Sequence, residues 1–530
     1  MAFTSVINLI HTHYQLRKFT NERSSGTILE GLTRLVHIQD IPPAITDRTL
    51  SNLSIADFED AVQYELATER RRFPVHTKPC GFYVQYRPAQ RNIISYSFKS
   101  HEFAEMHILL IHQYFLEDNA GGGSRWNEMA RIWVQEGHLV TVIAGDAHYM
   151  SGKPEGNAGK YFLKYKNRDG VGVIRCKIPE RYHDGFLGRL GGYISFALMA
   201  TYAGMRFANA EYDRIIVTSP PLPVGIPGFL LSEWKRISLV LEIRDLWPES
   251  AIEMGVLKNK WLIRLSYRFE KYLYHKAKLI NVLTPAFRDR LIHDKGVDPR
   301  KIVMIPNAAD FRWSEQALLH EGTGELRGKL NLEGKFVIIY VGAHGLANDL
   351  MQLVEAATLL RGTNAHFLLI GDGMQKRMLM EEADFRQLTN ITFFAPVSKE
   401  QVFGYILMAD VGVAVLKKAA IFKTVYSNKT FDYFSCKKPV LMAIDGVSRD
   451  LVEQAEAGMF AEPENPADLA KRIEIYMKDR ALLARHGENG YRFVRKHFDR
   501  EKLAKNFLEC IENQLEVTGE SAIFGDGKVN

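Results

Sequence analysis

The segment Tyr426-Ser-Asn-Lys-Thr-Phe-Asp432, followed by Pro439-Val-Leu-Met, sets a lysine and an acid three residues apart at what reads as a helix start. Residues at i and i+3 share a helix face, so Lys429 and Asp432 can act on one molecule. An ammonium neutralises a diphosphate, and a carboxylate accepts hydrogen bonds from ribose hydroxyls. That division of labour suits a nucleoside-diphosphate donor, with Ser427 and Asn428 at the same helix mouth. An exposed ion pair would use the same two residues, so their setting has to separate the readings. Two glycine turns provide it. Gly342, His344 and Asn348 lie in Val341-Gly-Ala-His-Gly-Leu-Ala-Asn348, a strand-turn-helix signal whose small residues let a phosphate approach backbone amides, with His344 as a further donor. Gly371 and Gly373, in Ile370-Gly-Asp-Gly373, end another strand. A third turn, Gly121-Gly-Gly123 with Gly122 and Gly123 ahead of Ser124, has the composition of an anion-binding loop or of a merely flexible one.

A second group sits in Glu242-Ile-Arg-Asp-Leu-Trp-Pro-Glu-Ser-Ala251, where a buried strand runs into a loop carrying Glu242, Arg244, Asp245, Trp247 and Glu249. Strand-end residues face the ligand crevice of an open α/β sheet. Pairing of Arg244 with Asp245 or Glu249 on a surface is the plainer alternative.

These residues need a scaffold, and the hydropathy pattern supplies one. From Met106 onward, apolar runs rich in Val and Ile alternate with amphipathic stretches, as expected of parallel strands joined by helical crossovers. Expected strands are 106–111, 139–144, 171–176, 214–218, 239–243, 279–283 and 301–305, then 336–341, 366–370, 391–394, 411–415 and 439–443. Helices are expected over 125–136, 186–202 and 260–275, and 307–332 reads as a linker. The reading is α/β: an N-terminal extension over 1–105, Rossmann-like domains over 106–300 and 301–490 facing a cleft, a C-terminal helix over 491–515, and a disordered tail over 516–530.

The 530 residues are 46% hydrophobic and 25% charged, an ordinary globular balance. Four dispersed cysteines, Cys80, Cys176, Cys436 and Cys510, make neither a disulfide framework nor a metal-ligand spacing, and fit a reducing cytoplasm. The net charge of +6 is unevenly placed, because residues 106–300 hold 27 Lys/Arg against 20 Asp/Glu. Such a surplus attracts anionic lipid, phosphorylated substrates or nucleic acid. Leu190–Met205 is uncharged but short of the roughly 20 apolar residues a membrane span needs, so it could lie on a membrane without crossing it.

Residues 106 to about 512 resemble glycosyltransferase family 4, particularly its bacterial surface-polysaccharide branch of N-acetylfucosaminyl-transferase-like enzymes. The likeness rests on Gly121–Trp126, Thr218-Ser-Pro-Pro-Leu222, Glu242–Ser250, Ile305-Pro-Asn-Ala308, Val341–Asn348, Gly371-Asp-Gly373 and Ser427–Pro439. The resemblance implies a GT-B fold, retention of configuration, no cofactor, and no metal, in keeping with a sequence that contains no Asp-x-Asp. It implies a UDP-linked, N-acetylated sugar held by the C-terminal domain and a lipid-linked saccharide acceptor on the side of Arg125, Glu242, Trp247 and Glu249. The catalytic group would then be Asp245, Arg244 and Lys429, in a cytoplasmic enzyme peripheral to the inner face of the plasma membrane. Two positions depart from the family pattern: its paired glutamates correspond to Thr424 and Asp432, and Arg244 stands where many relatives carry histidine. Residues 1–80 faintly resemble a truncated PIN nuclease domain through Ile7–Phe19 and Asp57–Gln63. A sugar-nucleotide epimerase or phosphorylase of the same fold, and a nuclease or nucleic-acid-binding protein, are the competing functions; the second leaves the Ser427–Asp432 arrangement unexplained.

Overall fold

The computed structural model describes residues 105–116, 124–146, 160–179, 185–253, 255–319 and 323–513. The expectations for the N-terminal extension, the Gly121–Gly123 turn and the C-terminal tail fall outside them.

The first half contains β1 (His107–Ile111), α1 (Arg125–Gln135), β2 (Leu139–Gly145), β3 (Phe162–Lys166), β4 (Gly172–Cys176), α2 (Gly185–Arg206), β5 (Arg214–Ser219), α3 (Gly225–Lys235), β6 (Ser238–Ile243), α4 (Glu249–Glu253), α5 (Lys260–Lys276), β7 (Leu279–Val282), α6 (Pro285–His293) and β8 (Ile302–Met304). Its strands form one sheet in the order β3-β4-β2-β1-β5-β6-β7-β8, parallel except for β3. Alternate residues of these strands feed two apolar layers. Ile108, Leu110, Val142 and Val240 face α1, where Trp126 and Trp133 are fully buried. Leu109, Ile111, Val217 and Leu241 face Phe196 of α2, Leu231 of α3, Leu273 of α5 and Phe287 of α6. Burial on both faces explains why the strands read as unbroken apolar runs.

The second half contains α7 (Phe311–Leu319), α8 (Thr323–Lys329), β9 (Phe336–Val341), α9 (Met351–Leu359), β10 (Ala365–Ile370), α10 (Lys376–Phe385), β11 (Ile391–Phe394), α11 (Lys399–Met408), β12 (Val411–Val415), α12 (Asn428–Ser435), β13 (Val440–Ala443), α13 (Val447–Gln454), β14 (Gly458–Phe460), α14 (Pro466–Lys478), α15 (Arg480–His497) and α16 (Arg500–Glu512). Its sheet is wholly parallel, in the order β11-β10-β9-β12-β13-β14.

Three expectations change. The strand near residue 301 pairs with β7 in the first sheet instead of opening the second. The stretch read as a linker folds as α7 and α8, anchored by Phe311 and Leu332 in the core; its polar outer face hid the few apolar contacts. The C-terminal helix is two helices: α15 packs against α12, and α16 returns to α1. At the return, Ala309 N–H donates to the Phe498 carbonyl and Arg500 N–H to the Ala309 carbonyl, both at 2.9 Å, so two chain crossings lie side by side. Asp499 caps α16 by accepting from the amides of Glu501 and Lys502.

Candidate active site

Open parallel sheets gather ligand-facing groups at their carboxyl edges, and in this molecule the two edges meet. Thr284, after β7, donates its hydroxyl to the Thr424 carbonyl at 2.8 Å, and Glu253 of α4 accepts from the Ile421 amide at 3.4 Å. Residues 421 and 424 lie in the 3-10 turn after β12, so the strand ends of one sheet touch those of the other.

On the second sheet the predicted turns converge. Gly342 N–H donates to the Ile370 carbonyl at 3.0 Å, and His344 N–H to the Asp372 carbonyl at 2.8 Å, which sews the turn after β9 to the turn after β10. Gly371 and Gly373 have φ of +149° and +157°. A Cβ on Gly371 would lie 1.9 Å from the Gly342 carbonyl oxygen, and one on Gly373 would lie 2.5 Å from the His344 carbonyl oxygen. Both glycines therefore permit backbone-on-backbone packing of the turns.

Lys429 projects over this platform. Its Nζ lies 5.0 Å from the centroid of the Tyr340 ring, and a Cβ on Gly342 would sit 3.4 Å from its Cε. Among the described residues no carboxylate is within ion-pair distance of the ammonium. Burial pulls its pKa down to about 8, with Asp432 opposing the fall. On the same helix, Ser427 Oγ and Thr430 Oγ1 are buried without hydrogen-bond partners. Asn428, beside them, is exposed, and Asn348 is partly buried at the end of the first turn.

His344 requires a correction. Its ring is fully buried, set between Tyr340 and Phe393, and neither nitrogen has a partner. Burial, then the charge of Lys376, drives its pKa down to about 4. The ring is therefore neutral and enclosed beneath the turn. Asp432 pairs with Lys399 of α11 at 2.8 Å and not with Lys429, so the plain i,i+3 ion pair is not formed. Burial raises the Asp432 carboxyl, and Lys399 pulls it back.

On the first sheet, Arg244 and Asp245 follow β6 and remain partly accessible. Arg244 makes no ion pair with Asp245 or Glu249. Asp245 is pushed up to about 6 by burial, against hydrogen bonds from Ser250 and the Leu246 amide. The remaining acceptor-side residues are engaged within the protein. Arg125 and Glu242 are enclosed as a pair: the guanidinium contacts both carboxylate oxygens at 2.9–3.2 Å and also donates to the Ile305 and Pro306 carbonyls. Asn281 donates to the same carboxylate at 2.8 Å. The pair ties β6, β7 and the exit of the first sheet together and cannot reach a ligand. Glu249 is bound to Lys295, which also holds Glu270 at 2.9 Å. Trp247 packs against the core.

Three residues escaped the sequence reading. His112, one position past the central strand β1, is buried with Nδ1 2.7 Å from Thr218 Oγ1. Burial, then Arg244 and Arg175, hold it neutral well below the ordinary histidine range. Its place at a central strand end was the signal that could have found it. Lys376 donates to the Gly371 and Phe394 carbonyls at 2.8 and 2.7 Å, bracing the second turn. Lys399 connects Asp432 to the charges of Glu128 and Asp310 in the seam between the sheets. Nothing local in the sequence marks either lysine.

Comparison with known proteins agrees with this architecture. Residues 120–308 match the glycosyl transferase 4-like domain, and residues 323–493 match glycosyl transferases group 1. The chain is 25% identical over 422 residues to the putative colanic acid biosynthesis glycosyl transferase WcaI of Escherichia coli K12, spanning 77% of this chain and 100% of the relative. Among solved structures, HepE from Anabaena in complex with UDP superposes with a TM-score of 0.56 at 15% identity, over 77% of this chain and 100% of that one. Sucrose-phosphate synthase from Thermosynechococcus elongatus gives 0.59 at 17% identity, over 77% and 99%. These likenesses establish the GT-B fold, two facing Rossmann-like domains. With a 4-like domain followed by a group 1 domain, in the order the two sheets take, the chain belongs to glycosyltransferase family 4.

Proposed function

We propose that this glycosyltransferase moves a sugar from a UDP-linked, N-acetylated donor to a lipid-linked saccharide, with retention of configuration, in assembly of a bacterial surface polysaccharide. The observation that carries the donor side is Lys429, a partly buried ammonium without a carboxylate partner, poised over the paired glycine turns. Such a group gains most from a diphosphate, because charge stabilisation strengthens where water is excluded. Ser427 and Thr430 offer unused hydroxyls beside it, and the start of α12 adds its dipole.

HepE, with the same fold, is known in complexes with UDP and with UDP-glucose, and the name of the E. coli relative refers to colanic acid biosynthesis; both favour this reading. Asp245 is the side chain best suited to take the acceptor proton, with Arg244 beside it. No group of three His, Cys, Asp or Glu able to hold a metal ion occurs among the described residues.

A thermal-shift screen of the purified chain against nucleoside diphosphates and nucleotide sugars tests the donor class. Stabilisation by UDP and a UDP-N-acetylhexosamine, lost in Lys429→Ala, is expected. Equal stabilisation of the variant removes the phosphate role. Product analysis of the donor incubated with lipid-linked saccharide separates transfer from isomerisation or phosphorolysis.

A further inference from the structure

The helices covering one face of the first sheet leave several large apolar side chains on their outer surface. α2 buries Phe196, Ala200 and Ala203 against the sheet, yet also presents Leu198 and Tyr202 to solvent, and contains no acidic residue. α3, packed against it, exposes Leu230 and Trp234. α5 follows, in contact with α3 through Phe229 and Tyr272, whose rings lie 5.0 Å apart.

The outward face of α5 is the most distinctive. Trp261 and Leu265 are 77% and 62% exposed, and Tyr272 continues their stripe two turns on. Lys260, Arg264, Arg268 and Lys271 are exposed among them, while the one acid of the helix, Glu270, is turned inward to Lys295. Arg264 lies over the Trp261 ring at 5.4 Å, which keeps a large aromatic group displayed in water.

Apolar side chains this size cost free energy in water unless something covers them, and a monomer seldom leaves so many together. Interleaved tryptophan, tyrosine and leucine with uncompensated lysine and arginine match the boundary of an anionic bilayer. There, aromatic rings settle among the headgroups and cations meet lipid phosphates. Nucleic acid would leave the apolar half of the face without a partner. No described helix is long and apolar enough to cross a membrane, so the contact is lateral.

We infer that the joint outer face of α2, α3 and α5 docks on an anionic lipid surface, with Trp261, Leu265, Arg264 and Arg268 as its principal anchors. As the place where a lipid-linked acceptor is met, the surface rests on the proposed function; as a lipid-binding surface it does not.

The test is co-sedimentation of the full chain with phosphatidylcholine vesicles and with vesicles that also contain phosphatidylglycerol, at low and high salt. Binding to the anionic vesicles only, released by salt, is expected. Trp261→Ser with Leu265→Ser, and separately Arg264→Glu with Arg268→Glu, should each weaken partitioning at least about tenfold. All four side chains are exposed, so melting temperature and the UDP-induced thermal shift should stay at the parent values. Loss of vesicle binding with that shift intact isolates the surface, and absence of the shift in the parent chain refutes the donor reading alone. Three outcomes would overturn the inference: no binding to anionic vesicles at low salt, equal binding by the variants, or self-association that the variants abolish without any vesicle binding.

Discussion

Under the proposed function Lys429 and Asp245 set a pH window, because burial moves their pKa values toward each other, to about 8 and about 6. Asp245 accepts a proton only when ionised, so kcat/KM should rise as pH passes about 6. Lys429 attracts diphosphate only when protonated, so kcat/KM should fall as pH passes about 8. Asp245→Asn should abolish the first limb, and Lys429→Arg should move the second upward, both read from initial rates across pH. Lys429→Ala should lower kcat/KM by about 10²–10³-fold, the usual loss for one charge-stabilising donor. Gly371→Ala tests the platform beneath: its methyl would collide with the Gly342 carbonyl in a backbone conformation that L residues avoid. The expected result is a lower melting temperature together with lost nucleotide binding.

At the level of elements, the buried Arg125–Glu242 pair joins α1 to the end of β6. Arg125→Leu would leave the Glu242 carboxylate enclosed without its cation, at a cost of about 3–5 kcal/mol in urea unfolding. Adding Glu242→Leu should recover part of that loss. This pair also shows where sequence reasoning stopped. An arginine after a glycine turn and a glutamate before a strand-end loop look like ligand contacts. Only the fold shows that residues 117 positions apart neutralise each other. The parallel strands were legible because burial on both faces makes them continuous apolar runs. β3 was not, since Phe-Leu-Lys-Tyr-Lys on an antiparallel edge alternates lysine with apolar residues, and β14 is only three residues long. The glycine turns were legible as neighbours of Lys429, while their packing on each other, which leaves no room for a Cβ, was not. Asp432 was placed on the right helix, but its ion pair with Lys399 could not be read because that lysine comes from a different element.

For the molecule as a whole, α16, the last helix among the described residues, packs on the first domain. Trp133 donates its indole N–H to the Ala504 carbonyl at 2.9 Å, Arg500 pairs with Glu128 at 2.7 Å, and Phe507 packs 5.9 Å from the Trp133 ring and 6.4 Å from Trp126. Phe507→Ala should therefore cost about 3–5 kcal/mol, observed as earlier unfolding in the tryptophan fluorescence of residues near the start of the fold. The order of synthesis acquires a meaning from this. A ribosome that has finished β8 must still translate the whole second domain before α16 emerges, a wait of roughly 10–40 s at about 5–20 residues per second. Through that interval the two tryptophans of α1 lack the cover that Phe507 provides, so the nascent first half exposes apolar surface until α16 is made.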